Sequence, residues 1–519
     1  MTSPDDTAPP EREPADETRG GASPPVAATP APAPRTWFGV SAIKWVFALE
    51  YMLQGLANPF QGITYQPFFR HLRFQYGLSE AATQSLFAKS YLAWSFKPVL
   101  GFFIDAYGKT RVILVALLGA GVIGYLVAPL VDRGPLTFFG FMFALSVALA
   151  GTDVAVDRAT VLEGAEEART SGRSKASTVG LNQAICWFSI YGTSIVAAAL
   201  GGYLSEHLPI RLLLPALALV PALVLVAVWR LPRDRATPIR VTQSVVEFWS
   251  GLNTGPILSV MVFYFIFNFQ PALGPLWNNY LLEQLKFSQT ELGWNDAATN
   301  FGYFLGVLVF TWKGIGWQER LGLRKLFRLY ILLSCAISLT QYLQVDPWFG
   351  RVAQALHALL PFCSEHSVRL LYLCAYSAFL ALGLSLTRMS TLSLVGAVIP
   401  TAAAGSLFAG FMSVTNLAYA FGYSSGSWLY DHGTQWGWLR AVQATLFGLP
   451  SRAGDSLSIN MLILINSLAF LSSFVCVHVL PDRRATGATE QTEATHPGPE
   501  RWLVLPVRLR HGVNVGALL

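Results

Sequence analysis

Long apolar runs separated by short polar connectors dominate this chain from about residue 41 to residue 479. Most exceed the roughly 18 residues at which an apolar stretch reads as a membrane-crossing helix. The pattern predicts spans over 41–63, 79–104, 111–130, 136–159, 176–202, 210–229, 255–282, 292–312, 325–344, 368–397, 403–429 and 457–479. A β-barrel, the other closed solution in lipid, needs alternating strands of roughly ten residues. These runs are too long and too uniformly apolar for that. The expected fold is an all-α polytopic membrane protein with about twelve transmembrane helices.

The polar segments set the organisation. Residues 1–36 are rich in Pro, Ala, Asp and Glu and read as a disordered tail, without the basic start and apolar run of a signal peptide. A basic stretch from Arg230 to Glu247 falls near the middle of the hydrophobic part. It divides the spans into two pseudo-symmetric halves, 37–230 and 251–481, joined by a linker at 231–250 and followed by a polar tail at 482–519. Two long connections, 346–367 and 431–457, carry apolar residues with Trp348, Trp436 and Trp438, as short interfacial helices would.

Composition supports the membrane reading and narrows the partners. Of the 519 residues, 53% are hydrophobic and 13% charged, against about 25% charged in a soluble domain. The formal charge of +6 lies mostly in loops on one side of the helical plan: Lys109 and Arg111; Arg169, Arg173 and Lys175; Arg230, Arg233, Arg235 and Arg240; Arg320, Arg324, Lys325 and Arg328. That bias sets topology, with both termini cytoplasmic in a cell membrane (the inner membrane in a bacterium), and makes nucleic acid an unsuitable partner. Five cysteines are an odd number without metal-like spacing. No phosphate-cradling Gly-rich loop, HExxH pair or Gly-x-Ser-x-Gly elbow occurs, so neither a metal, a cofactor nor an enzymatic reaction is expected.

The candidate chemistry is the charge placed inside spans, where each ionisable side chain costs about 2.5–3.5 kcal/mol by insertion scales. Glu50 lies mid-way along the first span and Arg388 deep in the tenth, while Asp153 and Asp157 share a face of the fourth at i, i+4 spacing. In a carrier built from inverted three-helix repeats, spans one, four, seven and ten line a central cavity. The seventh supplies Asn268, Gln270, Asn278 and Asn279 around Pro271, Gly274 and Pro275, a broken, amide-rich stretch suited to a wet cavity. On the fifth, Asn182, Gln183, Trp187 and Tyr191 recur at helical spacing, either to hold a planar heterocycle or to pack. Structural alternatives stand beside these readings. Glu50 has Lys89 as a candidate partner, Asp153 has Lys97, and Asp157 with adjacent Arg158 is suited to stabilising a gate. The pairs Gly302/Gly306 and Gly422/Gly426 permit close helix packing. Without nucleotide-binding machinery, active transport would draw on an ion gradient, with Glu50 or Asp153 carrying a proton.

Several motifs now fall in order. Trp94-Ser-Phe-Lys97-Pro98-x-x-Gly101-x-x-x-Asp105 leads to Gly108 and Lys109; Asp153-Val-Ala-Val-Asp157 follows; then come Gln183-x-x-Cys186-Trp187 and Gly201-Gly202-Tyr203. The second half adds Pro271, Leu285-Lys-Phe-Ser288 with Leu292-Gly293, and Met412-Ser-x-x-Asn416-Leu417. Together they resemble the folate–biopterin transporter family of the major facilitator superfamily. The departures are Ala404-Gly405-Ser406, where that family commonly has an acid, a loop after span two reduced to Lys109 and Arg111, and a loop after span eight that carries Lys313 and Arg320 but no matching Asp.

The resemblance implies import of folates or reduced pterins by proton symport, with Lys97, Asp105, Asp153 and Asp157 carried over. The resulting expectation is a monomeric secondary transporter in the lipid bilayer that moves a folate- or pterin-like, or other anionic heterocyclic, small molecule by alternating access. Glu50, Asp153, Arg388, Asn182, Gln183, Asn268 and Gln270 would bind substrate or proton, and Lys97, Gly101, Asp105, Asp157 and Arg158 would serve the gate and its framework. The alternatives are a permease for a muropeptide, sugar or drug, and a carrier-like assembly or pigment-delivery factor that does not transport.

Overall fold

The computed structural model describes residues 36–37, 40–171, 175–229, 240–271, 274–321, 323–398 and 404–480. The chain divides into two units, Met1–Ala42 and Ile43–Leu519. In the first, Thr36–Trp37 pairs antiparallel with Val40–Ser41. The expectations for 1–35, 231–239 and 482–519 fall outside the described residues.

The remainder is helical. The first half contains α1 (Ala42–Ala57), α2 (Tyr65–Arg70, continued by a π-helical turn to Gln75), α3 (Glu80–Ser95), α4 (Lys97–Tyr107) and α5 (Thr110–Val131). It continues with α6 (Pro135–Ser171), α7 (Lys175–His207), α8 (Ile210–Leu217) and α9 (Leu219–Trp229). The second half begins with α10 (Val241–Leu252), which occupies much of the expected linker, then α11 (Gly255–Asn268), α12 (Gly274–Asn279) and α13 (Gln289–Val309). It ends with α14 (Ile315–Leu321), α15 (Leu323–Thr340), α16 (Trp348–Leu359), α17 (Glu365–Val398), α18 (Ala404–His432), α19 (Gly437–Phe447) and α20 (Ile459–Cys476). The two long connections fold as the short helices α16 and α19.

The faces that stay open suit a lipid surrounding. On α5, Leu114, Leu118, Gly121, Tyr125 and Ala128 are buried at helical spacing. Its outward residues Val112, Ile123, Leu126 and Leu130 are as apolar as the buried ones, and α9 likewise exposes Leu219, Leu223 and Val226. A surface helix in water would carry polar groups there.

Seven of the described helical segments, with α8 and α9 taken as one, are long and apolar enough to cross a membrane, eight if α10 and α11 count as one bent span. The other expected spans fall short for physical reasons. Pro98 lacks an N–H and its ring conflicts with the preceding turn, so the second span breaks at Phe96 into α3 and α4. The seventh breaks between Asn268 and Gly274, around Pro271. The first is short, and the eighth and eleventh, α13 and α18, carry many polar residues. Each of these five contributes to the centre of the molecule.

Among the described residues the most extensive contacts between the halves run along two seams. Along α3 and α4 against α18, the Ser427 hydroxyl donates to the Ala81 carbonyl (2.9 Å), Ser413 to the Trp94 carbonyl (3.4 Å), and the Ser406 N–H to Asp105 (3.0 Å). Along α7 against α13, Gly202 and Gly293 face each other so closely that a Cβ built on either would lie 2.7–2.8 Å from the other's Cα. Gly302 and Gly306 bring α13 equally close to α17, where a Cβ would strike the Ala378 and Leu382 carbonyls.

Candidate transport site

The breaks and polar faces converge on a cavity of about 410 Å³ between the halves. Its first-half wall comes from Tyr51 and Gln54 (α1), Tyr91 and Trp94 (α3), Lys97 (α4), Asp153 (α6), and Trp187, Tyr191 and Ser194 (α7). The second half supplies Tyr264, Phe267 and Asn268 (α11), Gln270 in the α11–α12 break, Asn300 and Tyr303 (α13), Arg388 and Thr391 (α17), and Met412, Asn416, Tyr419 and Tyr423 (α18). Spans two, five, eight and eleven therefore line it beside one, four, seven and ten. Sequence spacing offers Trp187 and Tyr191 on α7 but does not show that α3 turns Tyr91 and Trp94 inward.

The first-half wall is acidic. Lys97 forms an ion pair with Asp153, with side chains 3% and 2% exposed. The Lys97 ammonium also lies 4.8 Å from the Trp94 ring centroid. Gln54 Nε2 bridges two carboxylates, donating to Asp153 (2.5 Å) and to Glu50 (3.0 and 2.8 Å to its two oxygens). The Thr152 hydroxyl donates to Glu50 (2.8 Å). Glu50 itself lies fully buried behind Gln54, outside the cavity lining. Lys89, its candidate partner from sequence, is exposed on α3 because its face of the helix points away. Gln54, one helical turn after Glu50, was recognisable as a same-face polar neighbour.

Asp157 and Arg158 do not act together. Adjacent helical residues point about 100° apart. Asp157 turns inward to accept from the Tyr51 hydroxyl (2.7 Å) and Gln183 Nε2 (3.3 Å), while Arg158 Nε donates to Asp105 (2.9 Å) on α4. Asn182 and Gln183 sit in the same buried layer, bonded to Thr160 through its carbonyl (3.3 Å) and hydroxyl (2.9 Å), and do not line the cavity. Of the span-five residues singled out in the sequence, only Trp187 and Tyr191 reach the cavity.

The second-half wall is cationic and aromatic. Arg388 donates to the Tyr191 hydroxyl (2.8 Å) and the Tyr419 hydroxyl (3.0 Å), and its guanidinium carbon lies 5.1 Å from the Trp187 ring and 5.9 Å from Tyr303. Tyr191 and Tyr303 stack with centroids 4.9 Å apart. Among the described residues Arg388 has no carboxylate partner. Tyr303 and Tyr419 carry no signal in the sequence that separates them from packing aromatics.

Both ends of the cavity are crossed by contacts between the halves. At the end carrying Lys109 and Arg111, called here the basic end, Asp105 holds Arg158 and the Ser406 N–H, and Gly101 packs on Ser406. Gly108, at φ +69°, ends α4 immediately beyond, a left-handed position that glycine adopts without steric cost. At the opposite end Arg73 pairs with Glu283 (2.7 Å), the Thr290 hydroxyl donates to Glu206 (2.6 Å), and Gln66 donates to Asp296 (2.7 Å). A second cavity of about 290 Å³ lies toward that end and shares Gln61, Tyr91, Asn300, Tyr303 and Tyr423 with the first. Among the described residues no group of three or more His, Cys, Asp or Glu is placed to hold a metal.

The BT1 family model matches residues 54–497, most of the chain. This chain belongs to the BT1 family. A folate-biopterin transporter of Synechocystis sp. is 24% identical over 459 residues, covering 86% of this chain and 84% of that one. A probable folate-biopterin transporter 4 of Arabidopsis thaliana is 29% identical over 201 residues, 37% of this chain and 38% of that one. Among solved structures, the proton:xylose symporter XylE matches with TM-score 0.54 at 14% identity over 85% of this chain and 96% of that one. The nucleoside transporter NupG matches with TM-score 0.52 at 13% identity over 84% and 98%. The human organic anion transporter MFSD10 matches with TM-score 0.53 at 14% identity, again over 84% and 98%. These likenesses establish the major facilitator fold. Family and fold together make this BT1 member a multi-pass membrane transporter of small molecules, not an enzyme.

Proposed function

We propose that this BT1 protein moves a folate- or pterin-like, or other anionic heterocyclic, molecule by alternating access, coupled to protons. One observation carries the reading: Arg388 stands in a central cavity, without a carboxylate partner among the described residues, enclosed by Trp187, Tyr191, Tyr303 and Tyr419. A guanidinium so placed suits an anionic group, and the rings beside it suit a flat heterocycle. Asn268 and Gln270 add hydrogen-bonding amides to the same wall. The names of the Synechocystis and Arabidopsis relatives agree with that cargo class.

Proton coupling rests on the first-half wall. Three buried carboxylates, Glu50, Asp153 and Asp157, lie near one ammonium, Lys97: Lys97 pairs with Asp153, Gln54 bridges Asp153 to Glu50, and Tyr51 donates to Asp157. Such a network exchanges a proton at lower electrostatic cost than it holds full charge. Gln183 braces Asp157 and Asn182 holds the neighbouring Thr160 carbonyl, while Gly101, Asp105 and Arg158 close the basic end. The halves, 37–230 and 251–481, rock about the cavity within a single chain, with the basic end and both termini on the cytoplasmic side.

The test is uptake by purified protein in liposomes, with a pH gradient and a panel of folate, biopterin, a muropeptide, a sugar and a nucleoside. Folate or biopterin uptake driven by the gradient, and abolished by Asp153→Asn in protein that remains folded and inserted, is the expected result. Full uptake by that variant removes Asp153 from the mechanism; uptake of another panel member alone replaces the cargo.

A further inference from the structure

The second cavity holds a carboxylate that the reading above leaves unused. Asp296, in the second turn of α13, lines this cavity between the halves. Among the described residues its side chain makes one interaction, from Gln66 Nε2 to Oδ2 at 2.7 Å, and it has no cationic partner. Its other oxygen, Oδ1, is left without a protein donor. Aromatic walls flank it: Phe60, Tyr65 and Phe87 from the first half, Tyr303 and Tyr423 from the second. Phe60 and Tyr65 both pack edge-on to Phe87.

Five shared residues make the two cavities neighbours, and their charges are opposite. One offers Arg388, a donor without a carboxylate. The other offers Asp296, an acceptor without a cation. A cargo with neither an anionic group nor N–H donors would leave both groups unsatisfied, which is costly for each. A molecule with an anionic group at one end and a pair of adjacent N–H donors at the other satisfies both.

We propose that Asp296 marks a recognition subsite for the amino-lactam edge of a bicyclic pyrimidine, read by two parallel N–H···O bonds, while Arg388 receives the anionic end. This rests on the transport function proposed above and assigns the cargo its orientation: donor edge toward the opposite end, anionic group toward the centre. A carboxylate accepts from an exocyclic amino group and the adjacent ring N–H together, which is the geometry that gives bidentate pairs their selectivity. Asparagine presents one acceptor and one donor, and so mismatches that edge.

Binding to purified full-length protein in lipid nanodiscs, followed by tryptophan fluorescence, tests this with four probes: folate, biopterin, a 2-methyl pterin lacking the amino group, and p-aminobenzoylglutamate, which is anionic but lacks the bicycle. Loss of a hydrogen bond to a charged group corresponds to about 10- to 100-fold in affinity. The wild-type protein is expected to bind biopterin that much more tightly than the 2-methyl analogue, and Asp296→Asn to abolish the difference while leaving p-aminobenzoylglutamate unchanged. Gln66→Leu breaks the same contact between the halves but keeps the carboxylate. If Asp296 only latches the halves, both variants shift all probes alike and the proposal is overturned. It is also overturned if Asp296→Asn keeps the full preference for the amino group. Failure of the wild-type protein to bind any of the four overturns the cargo class instead, a distinct outcome.

Discussion

Lys97 and Asp153 are nearly sealed from solvent, so the importance of the pair lies in what remains when one member is removed. An unpaired buried charge destabilises by about 3–5 kcal/mol, whereas replacing both partners by neutral groups is far milder. Lys97→Gln is therefore expected to lower the unfolding midpoint in detergent sharply. Lys97→Gln combined with Asp153→Asn should recover most of that loss while uptake stays abolished. A double variant no more stable than the single one would show that packing, not charge, is responsible. Arg388 depends on shape as well as charge, because its planar fork meets two hydroxyls and lies over Trp187. Arg388→Lys keeps the cation and loses the fork, and about a tenfold rise in the cargo concentration for half-maximal uptake is expected. In the turn between α5 and α6, burial alone would push up Asp132. Donation from Tyr76, Arg211 and His71 outweighs it and holds this carboxyl below its ordinary range. A carboxyl lowered by folding contributes stability that is present above the unfolded value of about 3.9 and is lost as pH falls through the folded value. Asp132→Asn should lower the melting temperature at pH 7 and remove this acid-dependent loss.

At the scale of helices, glycine governs how closely the halves meet. Gly202 on α7 and Gly293 on α13 occupy each other's side-chain space, so Gly293→Val must push the two helices apart at the opposite end of the cavity. In a background without native cysteines, a membrane-impermeant thiol reagent should then reach Asn300→Cys in the cavity wall at least several-fold faster than without the Gly293 change. Equal rates would place the barrier elsewhere, at Arg73–Glu283 for instance. The same helices show what was legible beforehand. Apolar runs located the twelve stretches closely, and the broken segment around Pro271 with them, because proline acts locally through its missing N–H. Partnerships across helices were less legible. The Lys97–Asp153 pair was available because an ammonium inside one span calls for a carboxylate on a neighbouring span. Arg158 with Asp105, and Asp157 with Tyr51, depend on how α6 is rotated against its neighbours, which the spacing of its own polar residues does not reveal. The inward turn of Tyr303 and Tyr419 is a property of packing, and so is the burial of Asn182 and Gln183 behind the cavity.

For the molecule as a whole, the central cavity is crossed by contacts at both ends, so transport requires each end to part in turn. At the basic end the parting surface runs between α4 and α18. A Cβ on Gly101 would lie 3.5 Å from the Ser406 Cβ and 3.0 Å from its Cα. The first distance falls within the range of about 3.5–4.5 Å found across disulfides. Gly101→Cys with Ser406→Cys, in the same cysteine-free background, should cross-link under mild oxidation and hold that end shut. Cargo then enters from the opposite end but is not released, so uptake into liposomes falls to background while binding persists. Reductant should restore transport to the level of the unoxidised double variant. That reversibility separates the effect of the bond from crowding by the new side chain, which both redox states share. A cross-link verified by mass spectrometry that leaves uptake unchanged would mean that α4 and α18 do not separate during the cycle. The basic-end contacts of Asp105 would then be a fixed brace, and the moving surface would have to be α7 against α13 alone.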